Sequence, residues 1–227
     1  MSDQTTACCD QCGTEPTNTD TANAEGAAPT DASTAERDAR WLDGDAVLTG
    51  PIPADLAATA TGFYDAGPVE TLGDFADVTR AAAGGTVDVT DLCHVDGETP
   101  HRATTGSGTY HFQCFYDGIA LARLRSEAVD LRTESPSGQA IEMHVASDGT
   151  VDVTPSTAVM SFGIAPDAAA TEGGPTPEDV YGAVCPWVKA FPSRDAYEGW
   201  AEATDAPTVG LPLTEGTPIA AALVAGE

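Results

Sequence analysis

Three residues in this sequence have the types and spacing to do chemistry together. Cys114 and Asp117 lie in the run Phe112-Gln113-Cys114-Phe115-Tyr116-Asp117, and Cys185 lies in Val184-Cys185-Pro186-Trp187. If a helix starts near Cys114, Asp117 falls three residues on, on the same face. A thiol at a helix N-terminus is stabilised as thiolate by free backbone N–H groups and the helix dipole. Cys114 would then be a nucleophile with a carboxyl group beside it. Two thiolates are also the ligands of choice for a soft metal ion. Each motif alone admits a plainer reading. Cys-x-x-Asp also fits a buried apolar cysteine followed by a surface aspartate, since free cysteine is among the most buried residue types. Pro186 removes a backbone donor and favours an extended Cys185, either buried or lining a pocket.

The elements that must position these residues can be read from periodicity and capping. Residues 53–66 and 69–83 read as helices, the second with Val69, Leu72, Phe75, Ala76 and Val78 on one face and Gly84-Gly85 ending it. Gly106-Ser107-Gly108 is a turn, followed by a short strand Thr109-Tyr110-His111-Phe112. From Cys114 to about Arg125 the pattern is helical. Strands follow over 128–134, 140–146, 150–154 and 158–164, with Ile141, Met143 and Val145 alternating and Asp148-Gly149 as a hairpin turn. Thr176 caps a helix that has Pro177 at its first position, and Ser193 caps another over 194–203. Helices followed by a strand-rich stretch with helical insertions make an α+β fold.

The order of these parts resembles the alkylmercury lyase family. The resemblance rests on the strand–Cys114-x-x-Asp117–helix unit, the strands after it, and a second cysteine, Cys185, 71 residues later. The tail from Cys185 through Phe191 and Asp195 to Trp200 is similar as well: a cysteine, an apolar strand ending in Phe, then a capped helix with an acid and a Trp. The likeness spans roughly residues 107–205. It implies that Cys114 and Cys185 bind mercury and that Asp117 handles the proton as a carbon–mercury bond is cleaved to a hydrocarbon and Hg(II). It also implies an organomercurial substrate, no organic cofactor, and release of Hg(II) to low-molecular-weight thiols or to a partner such as mercuric reductase. The expected organisation is an acidic disordered tail over 1–38, a helical N-terminal region over 39–105, and a lyase-like catalytic domain over 106–227 with flanking helices. The family's winged-helix-like N-terminal domain is not evident in residues 41–105, and Asp91 through Arg102 has no counterpart. The alternative is a thiolate protein of related fold that holds mercury or copper without chemistry and has no need of Asp117.

Other thiols and imidazoles compete for attention. Cys8, Cys9 and Cys12 form a cluster that could capture a soft metal or pass mercury onward, or could be incidental to a polar terminus. Cys93 and His94 with His101 or His111 could make a small metal site, but a fourth ligand is not evident, so a structural role is favoured and Cys93 could border the main pocket. A Cys–His hydrolase built on His111 and Cys114 is disfavoured, because on a strand entering a turn the two side chains face different ways.

Composition narrows the remaining classes. The 227 residues are 41% hydrophobic, enough for a packed interior. No apolar run approaches the roughly 20 residues of a membrane span, and no signal peptide is read at the N-terminus, so the expected location is the cytoplasm, with no membrane partner. Cysteines in such a compartment are metal-binding or catalytic more often than disulfide-bonded. The net charge of −27 disfavours nucleic acid as a partner. A DNA-binding, metal-sensing regulator is further disfavoured by the sparse bases of residues 41–105, where Arg80 and Arg102 stand almost alone. Lys189 is the single lysine among nine basic residues, and Ala, Thr, Asp and Glu abound. That balance is expected of a salt-loving archaeon, where salt screens the repulsion of a carboxylate surface. The protein is therefore expected to lose structure in dilute buffer and regain it in molar KCl. Far-ultraviolet circular dichroism checks this, and full ellipticity in dilute buffer would count against it.

Overall fold

The computed structural model describes residues 38–225. The tail expected over 1–38, with Cys8, Cys9 and Cys12, lies outside the described residues save for its last position.

Among the described residues, helices α1 (Ala46–Thr49), α2 (Ala54–Tyr64) and α3 (Leu72–Ala82) precede the sheets. Helix α3 starts where the sequence supplies a reciprocal cap. The Thr71 hydroxyl accepts the Asp74 N–H, and the Asp74 carboxylate accepts the Thr71 N–H. Its buried face carries Leu72, Phe75 and Ala76. A five-stranded antiparallel sheet follows in the order β2-β1-β3-β4-β5, from β1 (Arg102–Thr105), β2 (Gly108–His111), β3 (Val129–Glu134), β4 (Ala140–Val145) and β5 (Val151–Thr154). Between β2 and β3 the chain forms α4 (Tyr116–Arg125), which packs on β3. A second antiparallel sheet, β7-β6-β8, comprises β6 (Val159–Gly163), β7 (Ala190–Phe191) and β8 (Thr208–Pro212). Helices α5 (Pro177–Val184), α6 (Arg194–Glu202) and α7 (Gly216–Val224) complete a mixed α+β fold.

Strand alternation decides which face is covered. Val129, Leu131 and Thr133 on β3, and Ile141, Met143 and Val145 on β4, all point inward. Helix α4 seats on that face because Gly118 has no side chain. A Cβ there would lie 1.9 Å from Leu131 Cδ2 and 3.3 Å from Ala103 Cβ. Helix α7 packs against both α3 and α4, so it joins the N-terminal helices to the sheet. The resulting core is continuous from Leu42 and Leu56 through Phe75, Ile119 and Ile141 to Ile219. Phe191, Tyr197 and Val159 form a smaller cluster, against which Trp41 and Trp200 pack.

The expected elements from 53 to 202 match those observed to within a few residues. Two consequential elements carried no sequence signal. Strand β8 is buried at every position from Thr208 to Leu211 and so lacks alternation, and α7 is apolar enough to bury Ile219 and Ala220 in the core without a marked polar face. Strand β1 pairs with both β2 and β3, so the sheet begins before residue 106. Gly118→Ala is expected to cost about 1–3 kcal/mol by overpacking α4 against β3. A chemical denaturation series in high salt reads this as a lowered midpoint.

Candidate active site

Three segments distant in sequence converge beneath the N-terminal end of α4. Cys114 lies between the end of β2 and α4, and Asp117 sits in the first turn of that helix. The second segment begins with a 3-10 turn, Val89–Asp91, closed by a reciprocal Asp88–Asp91 cap. It then runs antiparallel to the residues after β2: the Gln113 N–H bonds the Cys93 carbonyl at 3.0 Å, and the Val95 N–H bonds the His111 carbonyl at 2.9 Å. This pairing lays Cys93 alongside Cys114. The third segment is the end of α5, whose start is fixed by Thr176, Pro177 and Asp179. Cys185 terminates the helix and opens a 3-10 turn to Trp187. Buried Ser161 on β6 anchors that turn. Its hydroxyl donates to the Trp187 carbonyl at 2.7 Å and accepts the Lys189 N–H at 3.1 Å.

The three sulfurs of Cys93, Cys114 and Cys185 all lie within 4.8 Å of one another, with Cys93 and Cys114 at 4.0 Å. All three cysteines are free and buried. The Asp117 carboxylate accepts the Cys93 N–H at 2.5 Å. Cys114, Asp117 and Cys185 line an apolar cavity of about 90 Å³, walled by Phe75 of α3, Val180 and Val184 of α5, Ile219 and Leu223 of α7, and Phe162 of β6. Cys93 is not part of that wall.

Three local expectations are corrected. Cys114 precedes α4 rather than starting it, with Phe115 as N-cap, so Asp117 reaches the site from the helix while Cys114 reaches it from the approaching loop. Nor is Cys114 held as a thiolate. The adjoining Cys185 sulfur and burial push its thiol well up, outweighing the opposite effect of its contact with Cys93. Cys93 is pushed up chiefly by the Cys114 sulfur. At Cys185, the Cys114 contact lowers the pKa, but the Cys93 sulfur and burial raise it further. The resting site therefore holds neutral thiols, and a metal must displace their protons. Cys185 is helical, at φ −54° and ψ −36°, not extended. The helix ending in Val184 carries it past the steric bias that Pro186 imposes.

Asp117 shares the site's electrostatic character. Burial raises its pKa, against the lowering effect of its Cys93 hydrogen bonds and of His94. It keeps its proton to higher pH than an exposed aspartate.

The histidines do not assemble a metal site. The His94 Nε2 bonds the Val89 carbonyl at 2.7 Å, and the His101 Nδ1 bonds the Thr133 hydroxyl at 2.7 Å. Burial, aided by Lys189, pulls His101 down to about 4, leaving it neutral near pH 7. The His111 Nδ1 accepts the Thr99 N–H. Among the described residues, the three cysteines are the group spaced for a metal. Cys93 is the member that sequence reasoning favoured as structural, able to border the main pocket but not counted among the site residues. Its only signal was being a cysteine after an acidic turn, and its place depends on the pairing with residues 111–113.

The alkylmercury lyase family model matches residues 95–225, more than half of the chain. The chain belongs to the alkylmercury lyase family. Cys114, Asp117 and Cys185 fall within the matched span, and Cys93 falls two residues before it. No curated protein matches. Among solved structures the chain is similar to the mercury-bound form of MerB2, at 19% identity and a TM-score of 0.43, over 56% of this chain and 58% of that one.

Because burial raises the Asp117 pKa, the folded state binds more protons than the unfolded chain between the ordinary value of 3.8 and the raised one. The stability contribution is present below 3.8 and falls as pH rises through that window. Asp117→Asn should remove this decline. Denaturation midpoints of both proteins across the acid range check it, and parallel curves would count against it.

Proposed function

We propose that this chain is an organomercurial lyase that cleaves carbon–mercury bonds by protonolysis. The observation that carries the reading is that two thiols, Cys114 and Cys185, and the Asp117 carboxyl line one apolar cavity. Membership of the family supports it.

Mercury is soft and thiophilic, so the thiols are its natural ligands. The Cys114 sulfur bonds to the mercury of R–Hg–X, and its proton leaves with X as HX. The organic group R lies in the apolar cavity, where its transfer from water is favourable. The second sulfur, from Cys185, adds to the metal and pushes electron density onto the mercury-bound carbon. Asp117 gives its proton to that carbon and takes the proton of Cys185. The carbon–mercury bond breaks, R–H departs, and Hg(II) stays on the two sulfurs. Each step is balanced by the protons of the two thiols, so no organic cofactor is required. Low-molecular-weight thiols, or a partner such as mercuric reductase, then take the Hg(II). The N-terminal Cys8, Cys9 and Cys12 supply a thiol arm for that handover. The setting is the cytoplasm of a salt-loving cell, in keeping with the charge of −27.

Benzene release from phenylmercury, in excess thiol and high salt, tests the reading. Cys114→Ala and Cys185→Ala should abolish turnover, and wild-type rates in both would sink it. Asp117→Ala should slow release by about 10²–10⁴-fold, the usual contribution of a positioned proton donor, while still binding Hg(II). Hg(II) binding by the wild type with no benzene released would instead favour a non-catalytic thiolate protein. Removal of residues 1–38 should weaken mercury transfer and spare cleavage, which a transfer assay to a competing dithiol compares directly.

A further inference from the structure

We infer that Cys93 is a third mercury ligand, which converts the two-sulfur product of cleavage into a three-coordinate Hg(II) thiolate. The inference rests on the lyase reading for the origin of the Hg(II), but its geometry stands apart from it. A metal–sulfur bond of about 2.3 Å, the length of zinc thiolates, sets three sulfurs about 4.0 Å apart around a trigonal centre. A larger ion spreads them further. Cys93 and Cys114 are 4.0 Å apart, and every pair among the three sulfurs is within 4.8 Å. One ion can therefore touch all three with little movement of the chain.

The position of Cys93 assigns it a place in the order of events. Cys114, Asp117 and Cys185 face the cavity that receives the organic group, whereas Cys93 is outside that lining. While R occupies one position on mercury, the cavity-facing residues complete the site. Once R–H has left, mercury has room for another ligand, and Cys93 stands ready. The Asp117 carboxylate accepts the Cys93 N–H at 2.5 Å, so this cysteine is fixed beside the acid. Asp117 has regained its proton from Cys185, so the proton of Cys93 leaves with an external base, such as a low-molecular-weight thiolate. The step is Hg(S-Cys)₂ plus Cys93–SH plus one thiolate giving [Hg(S-Cys)₃]⁻ plus the free thiol. One S–H bond breaks and one forms, one mercury–sulfur bond forms, and no oxidation state changes. Release needs two external thiols and one proton, which give Hg(SR)₂ and restore the three cysteines.

The test uses the full chain with Cys8→Ser, Cys9→Ser and Cys12→Ser, so that the terminal thiols do not compete. One equivalent of inorganic Hg(II) is added, and X-ray absorption at the mercury edge counts the sulfurs. Three sulfurs are expected, falling to two in a protein that also carries Cys93→Ala. Loss of Hg(II) to a competing dithiol should then be about 10–100-fold easier, the range seen when even outer partners of a metal are removed. Two sulfurs in the Cys93-containing protein, a reading that needs no Cys93 variant to fold, would overturn the inference. So would an unchanged count after Cys93→Ala. The count uses Hg(II) alone and the lyase reading uses benzene release. Three sulfurs without benzene would sink the lyase reading and keep the site, and benzene with two sulfurs would do the reverse.

Discussion

The hydrogen bond from the Cys93 amide to the Asp117 carboxylate ties together the parts on which the site depends. It joins a loop that follows the N-terminal helices to the first turn of α4. A buried carboxyl group is costly unless it is bonded, and this amide supplies a partner without neutralising it. The acid is thereby kept in a fixed direction while burial keeps it able to hold a proton. The same bond helps set Cys93 beside Cys114, so one interaction orients both the buried acid and a sulfur.

Around that bond, the fold serves to bring neutral thiols together. Three sulfurs in one buried space would repel one another as thiolates, and burial adds to the penalty. Protonated, they tolerate one another until a metal replaces the protons. The rigid supports are ordinary ones. Gly118 lets α4 press on β3, Ser161 holds the turn after Cys185 to β6, and helix α7 closes the cavity with Ile219 and Leu223. Most of the cavity lining is apolar, and Cys114, Cys185 and Asp117 are part of it.

Much of the local structure was legible in the sequence, because its causes are local. The capping residues Thr71, Thr176 and Ser193 mark helix starts that the structure reproduces, and the alternation of Ile141, Met143 and Val145 marks β4. Strand β8 and helix α7 were not legible, since an element with little polar face carries no period to read. The helical Cys185 was missed because a following proline biases a residue without dictating its conformation. The neutral state of Cys114 was missed because it is set by the Cys185 sulfur, remote in sequence, and by burial.

The sequence by itself determined the α+β class, most element positions, and the family resemblance carried by Cys114, Asp117 and Cys185, since each follows from side-chain type and short spacing. Only the tertiary structure decided that these residues share one cavity and that the Cys93 sulfur lies beside theirs, outside that lining. Cys93 is 21 residues from Cys114 and 92 from Cys185. Their approach is set by strand pairing, helix packing and one buried hydrogen bond, and none of these leaves a mark on the residues beside the cysteine.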